Sequence, residues 1–157
     1  MLMPLFEYVE NLHLGNALDD TGYLVAFINV SHLLALTVFL GALLVVDVRL
    51  LGSGFIKQPV SRVARNAYPW LVAGFLAMVL TGVLQVLGTP MKAYHSTQFW
   101  FKMQLMIVAV IFTFVVRQRI AQADDRVGPL WGKAAAVASL LMWTTIAVEG
   151  RLIGLLQ

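Results

Sequence analysis

The sequence predicts an all-α integral membrane protein, a bundle of four transmembrane helices forming one domain over residues 1–157. Two observations carry that prediction. The first is composition: 60% of the 157 residues are hydrophobic and only 12% are charged, with a mean hydropathy of +0.82. A soluble domain carries about 25% charged residues, so this chain cannot clothe a globular surface in polar groups. The second is where the charges are missing. Residues 21–46 and 66–91 contain no Asp, Glu, Lys or Arg, and residues 103–116 and 134–148 are shorter uncharged runs. A helical span needs roughly 20 apolar residues. The two shorter runs reach that length once Lys102 joins the first and Glu149 and Arg151 join the second.

The expected spans are therefore 23–50, 67–88, 98–119 and 131–155. Continuous apolar runs, rather than alternating ones, exclude the strands of a transmembrane barrel. The first span starts after Asp19-Asp20-Thr21, a helix-capping sequence. Tyr23, Tyr94 and Trp100 lie at one set of span ends, and Tyr68, Trp70 and Trp131 at the other, where aromatic anchors belong. Trp143 alone falls mid-span. Small residues on the second span (Ala73, Gly74, Ala77, Thr81, Gly82) and the fourth (Gly132, Ala134, Ala135, Ala136, Ala138, Ser139) are the usual means of close helix approach in lipid. Gly74 and Gly82 could instead make room for a flat ring.

Basic residues set the orientation. Arg49, Lys57, Arg62 and Arg65 follow the first span, and Arg117, Arg119, Arg126 and Lys133 follow the third, which is 8 of the 11 Lys and Arg. The positive-inside rule then places both termini on the outer, periplasmic side of a bacterial inner membrane. The net charge of +3 is topogenic, so nucleic acid is not an expected partner. No cleavable signal peptide is expected, because no basic segment precedes an early apolar run. Residues 5–16 set Leu5, Tyr8, Val9 and Leu12 on one face of a short helix at the outer surface. Its acidic character suits capping the bundle better than gripping anionic lipid. The absence of cysteine excludes disulfides and Cys-ligated zinc or iron–sulfur centres.

Polar residues within spans are costly and are functional candidates by default. Here they gather in the outer half. At 1.5 Å per residue, His32 lies roughly 13 Å below the outer end of the first span, with Asn29 one turn outward. Lys102, Gln104, Glu149, Arg151 and Gln85 share that half, whereas the inner half holds nothing ionisable before Asp47, at the boundary beside Arg49. The bland explanation is that Lys102 and Arg151 snorkel to the interface and Glu149 ties two helices as an ion-pair partner. The functional one starts from His32, a good axial ligand for haem iron. Met106 on the third span, near the depth of His32, and Met142 on the fourth are the sulfur candidates for a second ligand. The alternative to such a pair is a five-coordinate haem. Lys102 and Arg151 suit propionates or an anionic substrate, and Glu149 with His32 could handle protons, which makes Glu149 and Lys102 the catalytic candidates. Met91, His95 and Met103, with Met1, Met3 and His13, form a weaker set of soft ligands for copper.

His32, the stretch GALLVVDVRLLG at 41–52, FWFKMQL at 99–105 and W-x6-GRLIG at 143–154 resemble compact four-helix bacterial membrane proteins distantly related to the copper-resistance D family and the HemJ-type protoporphyrinogen oxidases. The HemJ-like pattern of a first-span histidine and a third-span lysine falls on His32 and Lys102. That resemblance implies haem b at the histidine and an oxidoreductase coupled to the respiratory chain; the copper-resistance resemblance implies copper handling at the outer face. The expectations are thus a haem b redox protein exchanging electrons with a quinone or a periplasmic protein, a copper-handling protein, or a non-catalytic membrane subunit of a larger complex.

Overall fold

The computed structural model describes residues 3–11, 22–53, 57–123 and 128–156, without the side chains of residues 5, 9–11, 92 and 151–156. All regular structure in these residues is helical. Helix α1 spans Met3–Asn11, α2 Gly22–Leu50, α3 Val60–Gly88, α4 Pro90–His95, α5 Thr97–Gln122 and α6 Pro129–Leu156. Four of them, α2, α3, α5 and α6, are long and apolar enough to cross a bilayer. The chain is a multi-pass membrane protein built as a four-helix bundle. The Asp19-Asp20-Thr21 cap lies outside the described residues.

Observed and expected spans agree closely except at the start of α3, which begins seven residues before the predicted 67. Pro59, in extended conformation, precedes the first turn. The segment beyond the apolar run stays helical because Val63 and Ala64 are buried beside Val46 of α2, while Arg62 and Arg65 face outward. In a bundle, a helix extends as far as it has a partner to pack on, not only as far as lipid reaches.

Each long helix turns one stripe inward. On α2 the stripe runs His32, Ala35, Phe39, Leu43, Val46 and Asp47, with His32 half-buried and the rest buried. The core of the bundle is a mid-membrane apolar layer. Phe39 packs edge-on to Trp143 of α6 at 4.5 Å between ring centroids, and Phe75 of α3 bridges Phe39 and Phe114 of α5 at 5.9 and 5.5 Å. Met78, Leu71, Ala109 and Ile146 fill the space between them. Trp143, the mid-span tryptophan, is thus a core residue, and its indole N–H donates to the Thr113 hydroxyl at 2.9 Å. Tyr23, Trp70 and Trp131 are exposed on the bundle surface, as lipid anchors would be.

Helix α5 is not uniform. Residues Phe112–Arg117 form a π-helical turn. Ala109, Thr113, Arg117 and Ala121 are all fully buried at four-residue intervals. In an ideal α-helix, twelve residues at 3.6 per turn would rotate the last of them about 120° away from the first. The wider turn takes up part of that rotation and keeps one face on the core. Helix α3 meets α5 mainly at Gln118–Gln122 and is less engaged with Thr97–Ile111, so the two diverge toward the half of the bundle that holds His32.

Helix α1 lies over α4. Phe6 makes the contact, its ring 5.3 Å from Tyr94 and 6.4 Å from Trp100. The expected contact face was Leu5, Tyr8, Val9 and Leu12; of these only the Tyr8 side chain is described, and it is exposed.

Helices α2 and α3 approach most closely at Gly74. A Cβ there would lie 2.7 Å from the Phe39 backbone nitrogen and 2.9 Å from its Cα. Backbone atoms in a helix cannot move aside, so Gly74→Ala should cost about 1–3 kcal/mol, the usual range for overpacking. The expected result is a lower melting temperature for the detergent-solubilised protein. Gly41→Ala, where nothing lies within 4 Å, should leave it unchanged.

Candidate functional site

Polar side chains occupy the interior in two clusters, one on either side of the apolar layer. In the His32 half, His32 Nδ1 lies 2.8 Å from the Thr81 hydroxyl oxygen. That hydroxyl also sits 2.7 Å from the Ala77 carbonyl. A hydroxyl has one proton and a carbonyl can only accept it. The arrangement that keeps both contacts has Thr81 donating to Ala77 and accepting from His32 Nδ1–H. This tautomer leaves the Nε2 lone pair without a partner among the described residues. Histidines that bind metals are held in this way, by a hydrogen bond on the other ring nitrogen. Gly82 lies against the ring: a Cβ there would be 3.4 Å from His32 Cε1. One turn outward, Gln85 donates to Asn29 at 3.0 Å and ties α3 to α2 again.

Lys102 continues the inward stripe of α5 and is half-buried. Its Nζ lies 3.1 Å from where a Cβ on Gly150 would stand, so the glycine makes the space that the ammonium group uses. Among the described residues no carboxylate lies within ion-pair distance of it. Glu149 is half-buried at the same level of α6, yet no ion pair joins it to Lys102. The side chain of Arg151 lies outside the described residues, as do His13 and Met1.

The structure separates other candidates from this group. Gly74 is filled by the Phe39 backbone and offers no room to a ligand. Met106 and Met142 pack against the apolar layer. Gln104 faces outward. His95 is exposed on α4, where its Nδ1–H donates to the Met91 carbonyl at 2.9 Å and its ring stacks edge-on to Tyr94 at 5.4 Å. No group of three or more His, Asp or Glu suited to a metal ion occurs among the described residues.

The second cluster was not foreseen. Asp47 and Arg117 read as residues of the basic boundary, but both are 0% exposed and form a salt bridge, Arg117 Nε to Asp47 Oδ1 at 2.5 Å. Arg117 Nη2 also donates to the Leu43 carbonyl at 2.7 Å. The π-turn brings Arg117 and Thr113 onto the buried face together, which no feature of the sequence FTFVVR announces. Ser139 of α6 lies beside the carboxylate and is fully buried. Of the eight topogenic basic residues, Arg117 is thus an internal tie between α5 and α2.

Removing one member of a buried pair strands the other charge and costs about 3–5 kcal/mol, whereas replacing both by apolar residues is often neutral. Asp47→Asn and Arg117→Met should each lower thermal stability by that order. The double variant Asp47→Leu/Arg117→Met should regain most of it, as measured by unfolding in detergent. Equal losses in single and double variants would show that the pair is not the source.

No curated protein and no solved structure matches this chain. A family model does, over residues 5–156, and takes in all four spans and both polar clusters. The chain belongs to the family of unknown function DUF6644.

Proposed function

We propose that this protein binds haem b through His32 and serves as a membrane redox protein, exchanging electrons with a quinone or with a partner protein on the His32 side. The observation that supports it most is the His32–Thr81–Ala77 arrangement, which leaves Nε2 as an oriented donor, without a partner among the described residues, inside a membrane bundle. Three features fit the group. Neutral imidazole is a common haem ligand. Gly82 and Gly150 give the His32 ring and the Lys102 ammonium group the room they occupy, which lets both groups lie inside the bundle. Lys102 is an intramembrane cation without a carboxylate partner among the described residues, suited to the carboxylates of a porphyrin.

In this reading haem supplies the one-electron chemistry, and the chain supplies the rest. Thr81 fixes the imidazole tautomer and ring direction. Lys102 holds an anionic group toward the membrane surface. Glu149 is placed to accept or release a proton near that surface. The Phe39, Phe75 and Trp143 layer keeps water from crossing. The orientation follows from the exposed basic residues Lys57, Arg62, Arg65, Arg119 and Lys133 at the opposite end, which belong on the cytoplasmic side of a bacterial inner membrane.

The test is a reduced-minus-oxidised visible spectrum of the purified protein, with haem quantified on the same sample. The expected result is about one haem b per chain in the wild type. His32→Ala should abolish it with helical content retained. Thr81→Val keeps Nε2 but frees the ring, and should weaken haem retention about 10- to 100-fold, the usual loss for an outer-shell partner. A wild-type protein expressed with ample haem and carrying none, or a His32→Ala variant that keeps it, overturns the proposal.

A further inference from the structure

The Asp47 cluster is incomplete as it stands. Asp47 Oδ2, Arg117 Nη1, Ser139 Oγ and Gln118 Nε2 are buried with no hydrogen bond of good geometry among the described residues, the Ser139 hydroxyl lying beside Asp47 without closing one. All four residues are at most 7% exposed. Buried polar atoms are nearly always satisfied, by protein or by ordered water. Inside a membrane protein the requirement is stricter, because lipid supplies no substitute.

The chemistry of the four atoms selects the guest. Oδ2 accepts, Nη1 and Nε2 donate, and the serine hydroxyl does either. Asp47 and Arg117 neutralise each other, so neither a cation nor an anion is favoured. A molecule that both donates and accepts, and carries no charge, fits: water.

A route for water lies next to the cluster. A cavity of about 480 Å³ opens at this end of the bundle, lined by Leu50, Ile120 and Gly132 with Arg49 and Lys133 among its walls. Leu50 follows Asp47 by three residues on α2, and Ile120 follows Arg117 by three on α5. Gly132 precedes Ser139 by seven, two turns along the same face of α6. The cavity therefore sits one turn beyond the ion pair on the same helix faces. Cationic walls suit water and not acyl chains.

We propose that this cavity is an aqueous vestibule whose inner end is the Asp47–Arg117–Ser139 cluster, with bound water completing the unpaired atoms and keeping Asp47 in proton exchange with the solution at this end of the bundle. The apolar layer of Phe39, Met78, Trp143 and Ile146 closes the inner side. The inference stands apart from the haem proposal, since it concerns the opposite half of the bundle.

The chain has no cysteine, so a single introduced thiol gives the only S–H stretching band in the infrared spectrum. Ser139→Cys is nearly isosteric and reports from the cluster. Gly132→Cys reports from the vestibule wall, and Ile146→Cys from the apolar layer. Each variant is placed in lipid nanodiscs and transferred to D2O. The expected result is S–H to S–D conversion in Ser139→Cys at the rate of Gly132→Cys, at least about tenfold faster than in Ile146→Cys, because exchange requires contact with water. Conversion in Ser139→Cys no faster than in Ile146→Cys overturns the proposal. Should Ser139→Cys not assemble, Ala136→Cys, fully buried one turn nearer the vestibule on the same face, is read against the same two references with the same two outcomes.

Discussion

The bundle depends on the Asp47–Arg117 contact and on the helix geometry that permits it. In lipid there is little hydrophobic drive to bring helices together, since the tails are as apolar as the side chains. Association has to come from close packing and from polar groups that find one another. Arg117 is fully buried in α5 and reaches both the carboxylate and the Leu43 carbonyl of α2. Once one of these charges is buried the other has to meet it, so the pair restricts how α5 docks against α2 even though an apolar pair of similar volume could hold the helices as firmly. The π-turn at Phe112–Arg117 is the means by which Thr113 and Arg117 face the core at once, one toward Trp143 and the other toward Asp47.

Around that tie, the interior is layered. A polar cluster ties α2 to α5 at one end, an aromatic layer fills the middle, and a second polar group at the other end holds α2 to α3 through His32–Thr81 and Gln85–Asn29. Because α3 and α5 diverge toward the His32 half, the second group is the less enclosed of the two. His32 and Lys102 are each half-buried there, whereas Asp47 and Arg117 are fully buried. A buried, mutually neutralised pair is suited to structure and a half-buried, oriented imidazole to binding. That division underlies the assignment of ligand binding to one end and bundle assembly to the other.

Parts of the candidate site were legible because membranes make polar residues conspicuous. His32 and Lys102 stand out from long apolar runs, and the structure places both on inward stripes. Thr81 was visible only as a small residue on a packing face, since a hydroxyl in a span ordinarily bonds its own backbone, as Thr37, Thr144 and Thr145 do here. Its second contact, to His32, depends on the register of α2 against α3. Gly74 and Gly82 read alike as glycines of one helix, yet one meets a backbone and the other an imidazole. Eight residues separate them, enough to move from the point of closest helix approach to the polar end.

The sequence by itself determined that the chain lives in a bilayer, that it crosses four times, and that its basic residues collect at one end. Those properties follow from transfer free energies summed over segments, and segment sums are local. Only the tertiary structure decided which polar groups meet. It moved Arg117 from the boundary to the core, paired it with Asp47, gave Trp143 to Thr113 and His32 to Thr81, and left Lys102 without a carboxylate among the described residues. These outcomes rest on the rotation of each helix about its axis, including the extra residue taken up by the π-turn, and rotation is set by neighbours that lie far away along the chain.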